Sequence, residues 1–201
     1  NLFDVEEKYS LAISVALGAG VTNIVVDNEY MAKEAISYLK ENKLGRATFF
    51  PLNIIKPKYV DNDTINIAKP LAGFIGIASN LISYDRKYQD IILNQLGNIL
   101  VVDNIDNANI ISKAIGGRYR IVTLDGELLH VGGSVTGGSV AKSRNIVLEK
   151  YELDKLINQL KITTENISDI EEKINEIDNN YRVLEDRIYL INKDKMDNEL
   201  L

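Results

Sequence analysis

The sequence predicts an α/β protein with mixed sheets that is followed by one long coiled-coil helix. Short apolar runs alternate with amphipathic helical segments, two stretches of the chain share the same motifs, and the last quarter carries a heptad repeat. Hydrophobic residues make up 45% of the 201 residues, which is enough for a packed core. Cysteine is absent, and this excludes a disulfide framework or a thiolate metal site. No apolar run approaches the roughly 18 residues of a membrane helix, so we expect no membrane partner.

The repeated motifs indicate a duplicated unit. Each copy contains a Lys-Tyr pair, a Leu-Gly pair and an apolar strand that ends in Val-Val-Asp-Asn. These motifs fall within residues 8–28 in the first copy and within residues 87–104 in the second copy, in matching order. Chance similarity between two α/β units remains the alternative, because both need a buried strand followed by a helix.

Each copy is predicted to form a helix, a buried strand, a second helix and a second strand. In the first copy these elements span residues 5–17, 24–26, 29–43 and 47–50. Gly18 and Gly20 end its first helix, the strand is buried on both faces, and Asn28 caps its second helix. In the second copy a helix at 87–96, a strand at 99–102, a helix capped by Asn104 or Asp106 and a strand at 119–124 are expected. Further strands are predicted at 74–78 and 127–130.

The three prolines mark a break between the copies. Pro51, Pro57 and Pro70 fall in or beside a polar segment without regular periodicity, which predicts a linker. The sequence therefore divides into an N-terminal subdomain, a linker, a C-terminal subdomain and a coiled-coil arm, at 1–52, 53–70, 71–140 and 141–201.

The last quarter of the chain has the pattern of a coiled-coil seam. Twelve positions alternate three and four residues apart, and all except Thr163 are apolar: Leu153, Leu156, Leu160, Thr163, Ile167, Ile170, Ile174, Ile177, Tyr181, Leu184, Ile188 and Ile191. Such a seam needs a partner helix, either in another chain or upstream of Asn1. Because the chain begins with Asn1 and soon enters a helical pattern, we expect a fragment of a longer intracellular protein.

The formal charge of −6 belongs to this last segment. Residues 148–201 carry 8 basic and 14 acidic side chains, and residues 1–147 are neutral. The neutral net charge of the globular part therefore argues neither for nor against a nucleic-acid partner.

The sequence offers no motif for catalysis, a cofactor or a metal. His130 is the single histidine and is interpreted as a structural or surface residue, since it has no cysteine or second histidine to join it. Asp27 and Asp103 end strands, where catalytic acids occur, but helix initiation explains them better. The glycines at 18–20 precede a strand instead of following one, and Ser139 and Val140 stand where a P-loop needs Lys and Ser/Thr.

Five of the 13 glycines lie between Gly126 and Gly138. Glycine costs backbone entropy on folding, so the folded state should need them. A flexible tether is one interpretation; the patterned sequence favours a tight turn or an interface.

This segment resembles the signature of the SMC (structural maintenance of chromosomes) hinge domain, especially its bacterial form. The similarity lies in the runs 120–127 and 132–138, and it extends upstream to 16–18, 32–52, 73–79 and 96–103. His130-Val131 and Val135 depart from the Asn-Pro and Met that are typical of bacterial members.

The resemblance implies two pseudo-related subdomains and a ring-shaped homodimer in which the N-terminal half of one protomer meets the C-terminal half of the other. It places five glycines near those interfaces: Gly126, Gly132, Gly133, Gly137 and Gly138. It also implies a cytoplasmic, nucleoid-associated parent with ATPase heads, an upstream arm as the partner of the coiled coil, and no cofactor in this segment. The candidates for DNA contact are Lys142 and Arg144, with Lys56 and Lys58 as weaker ones.

Two other functions remain open at the level of sequence. One is a small α/β ligand-binding or enzymatic domain that a coiled coil oligomerises. The other is a module whose main role is to bind single-stranded nucleic acid.

Overall fold

The structure is a computed structural model that describes residues 2–138 and 146–199. The chain divides into two compact units, residues 1–151 and residues 152–201. Six α-helices lie in the described residues: α1 Glu7–Leu17, α2 Glu29–Glu41, α3 Asn62–Ala68, α4 Gln89–Leu96, α5 Ile105–Ala114 and α6 Ile146–Glu199. The strands of the same residues are β1 Phe3–Val5, β2 Ile24–Val26, β3 Phe49–Pro51, β4 Phe74–Ile77, β5 Ile82–Tyr84, β6 Ile99–Val102, β7 Arg120–Thr123, β8 Leu128–Leu129 and β9 Val135–Thr136.

A five-stranded mixed sheet forms the centre of the first unit. Its order is β4-β6-β7-β8-β9, with β6 and β7 parallel and the other pairs antiparallel. All four residues of β6 are buried, because apolar side chains cover both faces of the strand. One face packs under α1 and α4 through Ala12, Ile13, Ala16 and Leu96. The opposite face packs under α3 and α5 in a second cluster: Val60, Ala68, Ala108, Ile111 and Ile115.

Two small sheets lie outside this centre. Strands β2 and β3 form a parallel pair that α2 connects, and β1 pairs with β5 in antiparallel register. Sequence reasoning missed β1 and β5, because three-residue strands offer too little alternation to detect.

The two copies have the same order of elements and the same local chemistry. Asn28 and Asn104 take almost the same backbone angles, and their side chains accept hydrogen bonds from the backbone N–H of Met31 at 3.1 Å and of Asn107 at 3.0 Å. Each caps the helix that follows it, as predicted. The Lys-Tyr pairs also match, since the Lys ammonium lies 4.7 Å from the Tyr ring centre in the first copy and 4.8 Å in the second.

The structure differs from the sequence prediction at two places in the first unit. Strand β2 is not buried on both faces, because Ile24 is 45% exposed and its neighbours in β2 are half-buried. The segment 53–70, predicted as a linker, contains helix α3, and Val60, Thr64 and Ala68 are buried in or beside it. The prolines hid this helix, since they flank it without entering it.

A polar cluster holds α3 against the second copy. Asp61 caps the helix by accepting the backbone N–H of Thr64 at 2.8 Å, and the hydroxyl of Tyr119 donates to Asp61 at 2.8 Å. The guanidinium of Arg118 lies 3.7 Å from the same carboxylate and donates to the Thr64 hydroxyl at 2.9 Å. The Thr64 N–H, the Tyr119 hydroxyl and the Arg118 charge lower the pKa of Asp61 to about 2.

The described residues of the second unit, 152–199, all belong to helix α6, which begins at Ile146, as the heptad pattern predicts. Its 54 residues correspond to about 81 Å at 1.5 Å per residue. The apolar residues of the seam are more than half exposed, so their burial requires a partner helix.

We predict that Asp61→Asn lowers the free energy of unfolding at neutral pH and that this difference shrinks in acid. The pKa of Asp61 is depressed on folding, so its charge stabilises the fold above the ordinary value of 3.8 and ceases to do so as pH falls through about 2. Urea unfolding of both proteins across this range measures the difference. Asp63→Asn, an exposed carboxylate in the first turn of the same helix, is the control. A constant difference between wild type and Asp61→Asn at all pH values would contradict the prediction.

Candidate dimerisation surface

Gly126 lies in the turn between β7 and β8. Its φ is +85°, and a Cβ at this position would lie 3.3 Å from Leu11 and 3.4 Å from Val15, both on α1. The turn is held by the backbone N–H of Gly126, which donates to the carbonyl of Thr123 at 3.1 Å. Gly126 therefore serves a close contact within the chain, between the second copy and the first helix of the first copy.

The next glycines shape the β8–β9 hairpin. Gly132 and Gly133 both have positive φ, with nothing within 4 Å of an added Cβ, so their conformation and not their packing requires glycine. The backbone N–H of His130 donates to the carbonyl of Ser134 at 2.8 Å and closes the hairpin. The ring of His130 meets the hydroxyl of Thr136 at 3.0 Å, which agrees with the structural role predicted for it.

Gly137 and Gly138 also differ in whether packing or backbone conformation requires glycine. A Cβ at Gly137 would lie 3.2 Å from the side chain of Glu127, whereas Gly138 has φ +123° and open space around it. Within the chain, Gly126 and Gly137 thus allow close packing, and four of the five glycines, all except Gly137, have a backbone with positive φ.

Strands β4 and β9 are the two edges of the five-stranded sheet, and among the described residues no strand pairs with β9 on its outer side. In an antiparallel ladder, residue pairs that exchange backbone hydrogen bonds alternate with pairs that do not. Because His130 and Ser134 are hydrogen-bonded, the backbone N–H and C=O of Thr136 point toward β8, and those of Val135 point away from β8. Val135 is 53% exposed and Val131, in the preceding turn, is 61% exposed. An apolar strand edge with unsatisfied backbone groups is a site for pairing with another strand.

Strand β2 is a second open edge. Ile24 and Val26 bond to β3, through the Ile24 N–H to Thr48 at 2.9 Å and the Leu52 N–H to Val26 at 2.9 Å. In a parallel ladder this leaves the N–H and C=O of Val25 on the outer edge of β2. On the outer edge of β3 stands Pro51, which has no N–H to donate.

The segment 18–59, which we call the β2–β3 lobe, buries little of its own apolar surface. Ala32 is its one buried residue. Several large apolar side chains of the lobe are exposed: Ile24, Tyr30, Met31, Ile36, Tyr38, Leu44, Ile54 and Tyr59. A helix with apolar residues outside its inner stripe is expected to pack on more than one side.

The basic candidates are only partly described. Lys56 and Lys58 are exposed, and the backbone between them is held against α4 by the Asn94 side chain, which donates to the carbonyl of Lys56 at 2.6 Å. Lys142 and Arg144 lie outside the described residues.

Sequence reasoning missed the role of Arg120. Its guanidinium donates to the carbonyl of Ala16 at 3.5 Å, in the last turn of α1, and burial lowers its pKa. A cation at the carboxyl end of a helix is favourable, so Arg120 joins β7 to α1. A side chain that reaches from one copy to the other leaves no local signal in the sequence.

Shallow clefts, and no cluster that could hold a metal ion, are found among the described residues. One cleft of about 440 Å³ lies along β1 and β5, and another, of about 370 Å³, lies on the outer side of α2. No three His, Cys, Asp or Glu side chains come together among residues 2–138 and 146–199, and no helix there is long and apolar enough to cross a membrane.

The fold and the surface define an α/β domain with an open strand edge in each of its two copies and a long heptad-patterned helix after it. A family model described as the SMC proteins flexible hinge domain matches residues 1–112, which is more than half of the chain. The chain belongs to the SMC hinge domain family, as the resemblance of its motifs indicates.

Individual relatives agree with this assignment. The chromosome partition protein Smc of Bacillus subtilis is 39% identical over 173 residues, covering 86% of this chain and 14% of the relative. The chain thus spans about a seventh of the length of that protein. Among solved structures, an asymmetric dimer of the Geobacillus stearothermophilus SMC hinge domain matches with a TM-score of 0.73 and 40% identity, over 85% of this chain and 69% of the other. The Pyrococcus furiosus SMC hinge domain matches with a TM-score of 0.57 and 39% identity, over 70% and 74%.

We predict that Gly126→Ala destabilises the chain more than Gly132→Ala. Both substitutions force alanine into left-handed backbone, at roughly 1–2 kcal/mol. Gly126→Ala also presses a methyl group against Leu11 and Val15, which adds about 1–3 kcal/mol of overpacking. Urea unfolding of the two variants measures both costs. Equal losses would show that contact with α1 does not explain Gly126.

Proposed function

We propose that this chain is the dimerisation hinge of a chromosome-partition SMC protein and that it joins two identical copies. The observation that carries the proposal is the pair of open strand edges, at Val25 in β2 and at Val135 in β9. The family assignment supports it, and so does the related hinge domain that was solved as a dimer.

In the proposed dimer, β9 of one copy pairs with the outer edge of β2 of its partner. A two-fold axis repeats this contact, so two interfaces form and the assembly closes as a ring. Val131 and Val135 then lie near Ile24 of the other copy, and side chains that are exposed in the single chain become covered. Gly132 and Gly133 contribute by holding the hairpin that presents β9.

The remainder of the function belongs to a longer protein. We propose that α6 pairs with an upstream arm of the same parent chain, since its apolar seam is exposed along its described length. The hinge would catalyse no reaction of its own. The ATPase heads, the action on the chromosome and the location in the cytoplasmic nucleoid would belong to the parent protein. The named relatives, which are chromosome partition proteins, support this role.

Substitution of Val135 tests the dimer. We predict that Val135→Asp converts a dimeric chain to a monomer, because it places a charge on the edge that β9 presents. Analytical ultracentrifugation at micromolar concentration measures the mass. Ile110→Asp, at a similarly exposed apolar position on α5, should leave the dimer intact.

A wild-type chain that stays monomeric at these concentrations would overturn the proposed function. A Val135→Asp variant that dimerises as well as wild type would instead place the interface away from β9.

We also propose a secondary role in DNA contact, at Lys142 and Arg144 near the hinge–arm junction and more weakly at Lys56 and Lys58. Exposure of Lys56 and Lys58 supports a contact there, and the backbone that carries them is anchored to α4. The basic residues at 142 and 144 would add to the same electrostatic attraction, which acts on phosphates without reading sequence.

Salt dependence tests this role. We predict that the double substitution Lys142→Glu with Arg144→Glu makes the plot of log binding constant against log salt concentration less steep. Its negative slope should shrink in magnitude by about two, at roughly 0.9 per lost phosphate contact. Lys56→Glu with Lys58→Glu should lower it by a similar or smaller amount. Fluorescence anisotropy with a short duplex measures the slope, and Lys113→Glu on α5 with Lys69→Glu beside α3 is the charge-matched control. Equal slopes for all of these proteins would contradict DNA contact at these residues.

A further inference from the structure

The β2–β3 lobe lacks the packing that the rest of the first unit has. We infer that the lobe completes its folding only when a second copy docks on it, so that folding of the lobe and dimerisation are one coupled event. This inference rests on the proposed dimer, and it adds a conformational consequence that dimerisation alone does not require.

Comparison of equivalent strands shows how incomplete the lobe is. In the second copy Leu100, Val101 and Val102 are fully buried, because a helical layer covers each face of the sheet. Their counterparts in the first copy, Ile24 to Val26, are exposed or half-buried. The difference does not lie in the side chains, which are equally apolar, but in what covers them.

The β2–β3 sheet lacks a second helical layer because of how the chain uses helix α1. Helix α1 precedes β2 in sequence, as α4 precedes β6, but α1 packs with α4 on the five-stranded sheet through Ala12, Ile13 and Ala16. Strands β2 and β3 are therefore left with α2 alone, whose inner face offers Ala32 as its buried residue.

A unit of this kind is too small to be stable by itself. Ordering each residue costs about 1–2 kcal/mol of backbone entropy, which apolar burial must offset. Units near 40 residues usually need disulfides, metals or oligomerisation, and the chain has no cysteine. A sheet of two strands is marginal in water without further packing.

The attachment of the lobe to its own chain is narrow and mainly polar. Gly20 lies against the side chain of Gln95, where an added Cβ would be 2.8 Å from the amide oxygen. At the other end Asn94 holds Lys56, and the N–H of Lys58 donates to the carbonyl of Leu93 at 3.4 Å. These contacts fix the two ends of the lobe on α4 without covering its apolar side chains.

A second copy is the occupant that fits the exposed surface. Partner strand β9 would satisfy the backbone of Val25 and extend the two-stranded sheet to three strands or more. Pro51 closes the other edge of the pair to the same kind of contact. The partner would thus supply both hydrogen bonds and apolar cover along the outer edge of β2.

Because folding of the lobe is coupled to docking of the second copy, the order of the lobe depends on whether its interface is closed. In a dimer with both interfaces closed, both lobes are ordered. When one interface opens, the lobe at that interface loses its cover and loosens, whereas the five-stranded core, which is complete within one chain, stays folded.

Hydrogen exchange on the full chain tests the inference. In wild-type dimer we expect protected amides in β2, α2 and β3 as well as in β6 and β7. In the Val135→Asp monomer we expect exchange in the three lobe elements to rise on the order of tenfold or more, with β6 and β7 unchanged. Unchanged protection in β6 and β7 shows that the variant is folded, and Ile110→Asp should retain the wild-type pattern throughout.

Dilution of wild type repeats the test without a substitution. Lobe protection should fall in step with the fraction of dimer, while core protection stays constant. A lobe that keeps its protection in a monomeric protein would overturn the inference and leave the proposed dimer standing. A wild-type chain that never dimerises would overturn the proposed function itself, so the two failures are distinct.

Discussion

Burial of the parallel pair β6–β7 on both faces is the constraint on which the first unit depends. These strands are apolar on each side, so the sheet needs one helical layer above and another below. The second copy can supply α4 and α5, one for each face. The remaining cover comes from α3, in the segment between the copies, and from α1, which belongs to the first copy. Gly126 and Arg120 then complete the contact with α1, by close approach and by a hydrogen bond to the carboxyl end of the helix.

This use of α1 explains why two copies of one unit end in different environments. Each copy begins with a Lys-Tyr pair, continues through a strand and a capping asparagine, and ends in a parallel strand. Their local structures therefore agree. Their packing does not, because a helix shared by both copies can cover only one sheet. The exposed lobe is the consequence of a complete core elsewhere in the same chain.

The sequence predicts local structure better than it predicts packing between distant segments. Helix caps at Asn28 and Asn104, the buried strand β6 and the long helix α6 depend on neighbouring residues, and the sequence patterns predicted them correctly. The burial of β2 was predicted wrongly, since an apolar run shows that a strand needs cover but not whether its own chain provides it. Helix α3 was missed because the prolines around it dominate the local signal. The roles of Gly126 and Arg120 depend on α1, more than 100 residues away, which no local pattern records.

A chain with open strand edges must also avoid pairing without limit. Heterologous contacts close into a ring only when the geometry returns to the starting copy; otherwise they extend as a fibre. In the β2–β3 lobe, Pro51 removes a donor from the outer edge of β3, so pairing is favoured at β2 alone. In the five-stranded sheet, β9 is only two residues long and ends in glycines, which limits its pairing to a short match. In the proposed dimer the two-fold axis pairs β9 of each copy with the outer edge of β2 of the other copy, so both of these edges are covered when the ring closes.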